Sequence, residues 1–100
     1  MLARREWLDA KGRRCWRDIS LYEQGNGGLR LQMTDMGVDV ADDWRDFDLE
    51  NWFDIPPQPA MPGLIETLRQ RCAVEPMPSW TELESILKAA GICYTQGFWV

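Results

Sequence analysis

The sequence contains no histidine. That removes the commonest general base near neutral pH and the commonest metal ligand. No Ser–His or Cys–His nucleophile pair can be assembled within the chain, and mixed Cys/His zinc sites are excluded. The three cysteines, Cys15, Cys72 and Cys93, are too few for a Cys₄ site and form no C-x-x-C. They predict reduced, partly buried thiols rather than a disulfide framework. Lysine is scarce, with two residues against nine arginines, a bias that suits a GC-rich bacterial or phage genome. No apolar run approaches the ~20 residues of a membrane helix. Arg4 and Arg5 near the start are followed by no apolar stretch, unlike a signal peptide. The expectation is a cytoplasmic protein without a cofactor, a metal or a catalytic centre.

What is present fits one small domain: 100 residues, 45% of them apolar. The net charge of −5 is unevenly spread. Residues 1–17 carry six basic and two acidic side chains, a local +4. Residues 33–55 carry eight acids against Arg45 alone, a local −7. A plain arrangement lays the basic start against the acidic middle.

The periodicities predict an α+β fold: a small, mostly antiparallel sheet in the N-terminal half, packed by two C-terminal helices. Residues 1–55 read as β-rich, although 1–11 fit a short helix or an opening strand equally well. Cys15, Arg17, Ile19 and Leu21 alternate with Trp16, Asp18, Ser20 and Tyr22. Leu29, Leu31 and Met33 alternate with Arg30 and Gln32. Gly25-Asn26-Gly27-Gly28 between them is a hairpin signal. Met36, Val38 and Val40 alternate in the other phase, which places a turn or bulge near Thr34-Asp35. Residues 41–55 read as a strand or irregular segment with a short helical turn.

Residues 56–63, rich in proline, form a stiff connector that continues neither element. Residues 64–91 are helical. Leu64, Ile65, Leu68 and Cys72 make one apolar face. Ser79-x-x-Glu82 is a capping box, Trp80, Leu83, Leu87 and Ala90 the stripe behind it, and Gly91 the stop. Residues 92–100 are strand-like and can rejoin the sheet. Trp16, Trp44 and Trp80 are expected in the core, and Trp52 or Trp99 at the surface.

The densest signal is the acidic block interleaved with aromatics. Asp39, Asp42, Asp43, Asp46, Asp48, Glu50 and Asp54 supply charge that steers a basic partner. Trp44 and Trp52 supply apolar anchors of the kind that dominate interfaces. Such a segment can fill a nucleic-acid-binding groove in place of the polyanion. The bland alternative is core aromatics beside a solvated acidic face. The acids lack EF-hand spacing, and the second C-terminal helix is too acidic to enter a DNA groove. Direct nucleic-acid binding and membrane association are therefore not expected.

This profile, small, acidic, Trp-rich and without catalytic residues, is similar in composition to anti-CRISPR proteins of phages and mobile elements. It is equally similar to toxin-neutralising immunity proteins. Both resemblances imply a non-enzymatic inhibitor whose partner is a protein with a basic surface; a structural or accessory phage subunit is the alternative.

Overall fold

The structure, a computed structural model, describes residues 1–8, 12–36 and 48–99, the side chains of 36, 48, 49 and 99 excepted. Five strands form one antiparallel sheet in the order β1-β2-β3-β4-β5. They are β1 (Ala3–Leu8), β2 (Arg14–Glu23), β3 (Leu29–Met36), β4 (Asp48–Ile55) and β5 (Thr95–Trp99). Two helices, α1 (Met61–Cys72) and α2 (Trp80–Ala89), lie between β4 and β5 in the chain. The α+β class is as the periodicities indicate.

Residues 3–8 resolve as strand: β1 pairs with β2 from Ala3↔Ile19 to Leu8↔Arg14. The β2–β3 hairpin turns through Gly27 at φ +84°, where a left-handed backbone suits glycine. The Asn26 side-chain oxygen accepts from the Gly28 amide at 2.9 Å and closes the turn. The expected break near Thr34-Asp35 is absent. β3 runs unbroken to Met36, with Asp35 opposite Arg17 on one side and Leu49 on the other. Arg17 grips the Asp35 carboxylate with two nitrogens, so a charged residue sits on the inward phase without a bulge.

The odd-numbered residues of the central strands face the helices. Ile19, Leu31, Met33, Phe53 and Ile55 meet Leu64 and Leu68 of α1 and Leu83 and Leu87 of α2 in the core. Phe53 also stacks on Trp80, rings 4.1 Å apart and nearly parallel, and takes the edge of Tyr94. α1 starts at Met61, earlier than the expected 64, because Pro62 sits in the first turn where no amide partner is lost. The chain from Ala73 to Ser79 then separates the two helices. Ser79 caps α2 by accepting from the Glu82 amide at 3.1 Å. The Glu82 carboxylate does not complete a reciprocal box but takes the Arg71 guanidinium, tying α2 to the end of α1. Gly91 at φ +68° ends α2: its amide reaches Lys88 and the Ile92 amide reaches Leu87, while Ile92 is buried. Ala90, expected in the stripe, is exposed. β5 rejoins the sheet beside β4, as the strand-like tail suggests.

Candidate functional site

Two-residue periodicity sends the even-numbered residues of β1 to β4, and the odd-numbered ones of β5, to the sheet face opposite the helices. Among the described residues no element covers that face. Glu50, Trp52 and Asp54 stand on it along β4, beside Thr34, Gln32 and Arg30 of β3. Trp16 and Asp18 of β2 and Arg4 and Glu6 of β1 continue it outward. Asp48, of the expected binding set, begins β4 opposite Met36. Asp39, Asp42, Asp43, Trp44 and Asp46 lie outside the described residues.

The charges here are organised. Arg30 holds Asp54 by two hydrogen bonds of 2.8 and 3.1 Å across β3 and β4. This bond secures the Arg30 proton further above an already high value, against the opposing effect of burial. The same guanidinium lies 4.9 Å from the centre of the Trp52 ring. Trp52 in turn covers Gly97 of β5 so closely that a Cβ there would stand 2.6 Å from its Cζ2. Glycine is thus the residue that lets the indole lie flat on the neighbouring strand.

A second cluster sits on β1 and β2. Trp16, expected in the core, is half-buried on the outer face, with Arg4 and Arg14 each 5.5 Å from its ring centre. Its even position on β2 decides its side, and stacking guanidinium groups stand in for apolar burial. Glu6 accepts from Arg14 at 2.8 Å and from Arg4 at 3.0 Å. Those bonds, Arg14's first, hold its carboxyl below the ordinary value of 4.5. Asp18 Oδ2 takes Arg4 at 3.4 Å, while Asp18 Oδ1 is buried and accepts from no described residue.

The face is therefore built of two arginine–tryptophan stacks, one on β1–β2 and one on β3–β4. The docking residues expected from the sequence lie on β4 and before it, whereas Trp16 was expected in the core. The signal was available: Trp16 has the same parity as Asp18, Ser20 and Tyr22. The basic start and acidic middle meet once among the described residues, at Arg17–Asp35; β1 itself lies at the far edge from β4.

Among the described residues no cluster of three or more Cys, Asp or Glu side chains is placed to hold a metal ion. No described helix is long and apolar enough to cross a membrane. Cys15 and Cys72 are buried, Cys93 is exposed, and all three are free thiols. No family model, curated protein or solved structure matches the chain.

Proposed function

We propose that this protein is a non-enzymatic inhibitor, acting in the cytoplasm, that binds and blocks a protein with a basic surface such as a nucleic-acid-handling complex. The docking surface is the helix-free sheet face at its β4 side, together with the acidic residues Asp39, Asp42, Asp43 and Asp46 and the anchor Trp44 that precede β4. The observation that carries this reading is the single outward row of Glu50, Trp52 and Asp54, which joins acid and aromatic on an uncovered face. Because Arg30 neutralises Asp54, the charge offered to a partner is concentrated toward Glu50 and the start of β4.

The arginines of the face favour a protein partner over a nucleic acid. Arg4, Arg14 and Arg30 all already serve carboxylates of this chain. A phosphate backbone would have to displace those carboxylates and meet the net −5 of the chain.

The test is capture from a cell extract by the immobilised protein, compared with Glu50→Lys and with the Asp43→Lys, Asp46→Lys pair. Circular dichroism melts verify that each variant is folded. Both variants are expected to lose the captured partner, and association of the wild type is expected to slow as salt rises. Undiminished capture by both folded variants rejects the reading. Capture insensitive to salt points instead to an apolar, structural interface.

A further inference from the structure

β1 is an edge strand, and its free side presents backbone donors and acceptors that no described residue meets. Alongside it runs a cleft of about 670 Å³, walled by Ala3 to Glu6 and by residues 72–77 between the helices. We propose that β1 pairs antiparallel with β1 of a second copy of this chain, centred on Arg5, joining two sheets through one closed two-fold interface.

The residues on either side of Arg5 complement one another in that register. Arg4 of each copy faces Glu6 of the other, so the Arg4–Glu6 pair already made within each copy would extend into a shared cross-strand network on the outer face. On the inner face Ala3, the smallest residue of the strand, comes opposite Trp7, the largest. The cleft beside Ala3 then receives the indole of the second copy. At the strand ends the register sets Leu8, 69% exposed, opposite Leu2 of the other copy, so each copy covers an exposed apolar side chain of the other.

The central pair sets Arg5 against its own copy, which costs stability. Each of these guanidinium groups lies over its own Trp7 ring at 5.2 Å, and Glu75 lines the same cleft. An interface of one short strand and one inserted indole per copy is small, so association in the micromolar range is expected rather than an obligate dimer. Charged side chains on an edge strand otherwise serve to prevent pairing, and that is the opposing outcome.

Sedimentation velocity of the intact protein, from micromolar to near-millimolar concentration, should show a monomer–dimer equilibrium. Glu6→Lys sets a like charge against Arg4 twice and should weaken the dimer by about tenfold or more. In a Cys93→Ser background, Arg5→Cys should form an intermolecular disulfide under mild oxidation. Opposed Cα atoms are about 4.5–5.5 Å apart, within disulfide reach. Glu6→Cys, whose counterpart is diagonal at about 7–8 Å, should not. Both positions are exposed in the monomer, and circular dichroism confirms folding. A monomer at every concentration overturns the proposal. So does a dimer in which Arg5→Cys fails to link or Glu6→Cys links as readily.

Discussion

At the scale of single residues, Trp52 leaves no room for a side chain at Gly97. Gly97→Ala puts a methyl where the indole lies, so the ring must swing away and lose the Arg30 stack. The expected cost is about 1–3 kcal/mol, read from urea midpoints, with a change in tryptophan fluorescence. The three thiols should separate by access. Cys93 should react at once with Ellman's reagent, and Cys15 and Cys72 only on unfolding, since burial also pushes the Cys72 thiol above its ordinary value. Tyr94 titrates high because it is desolvated and because its hydroxyl donates to Glu84 at 3.0 Å. A phenol whose folded value is raised binds its proton more tightly folded than unfolded. That contribution is complete below the ordinary value of 10.0 and disappears as pH climbs through the raised one. Tyr94→Phe should therefore flatten the alkaline loss of stability in urea titrations on either side of pH 10.0.

At the scale of elements, α2 carries its own start and stop. Ser79→Ala should cost about 1 kcal/mol by removing the cap, and Gly91→Ala about 1–2 kcal/mol by forcing a side chain into a left-handed turn. These signals are local, which is why α2 and the β2–β3 hairpin could be read from the sequence within a residue or two. β1 could not. Arg4-Arg5-Glu6 has no apolar alternation, and the segment is a strand because β2 offers it a ladder. The start of α1 was hidden by prolines, which read as breakers although the first turn tolerates them. The site divides the same way. That Glu50, Trp52 and Asp54 share a face follows from period two. That Arg30 neutralises Asp54 follows only from a register between strands 24 residues apart. The expected core position of Trp16 came from six tryptophans being too many for the surface alone, whereas the parity of β2 decides it.

At the scale of the molecule, the sheet has two edges, and β5 protects the strand that carries Phe53, the largest fully buried side chain of the described residues. A chain ending at Tyr94 would leave β4 as an open edge behind Phe53 and should aggregate, which light scattering of the purified truncation can follow. The connection from β4 to β5 carries α1 and α2, so among the described residues the helical inner cover is supplied by chain that follows the fourth strand. That order has a consequence during synthesis. The strands that present Ile19, Leu31, Met33 and Phe53 leave the ribosome before Leu64, Leu68, Leu83 and Leu87 of the helices that pack on them. Translation from residue 56 to Ile92 takes roughly 2–7 s at ordinary elongation rates. Over that interval the apolar residues of the first four strands have no helix of their own chain to pack on, the kind of exposure that chaperones exist to manage.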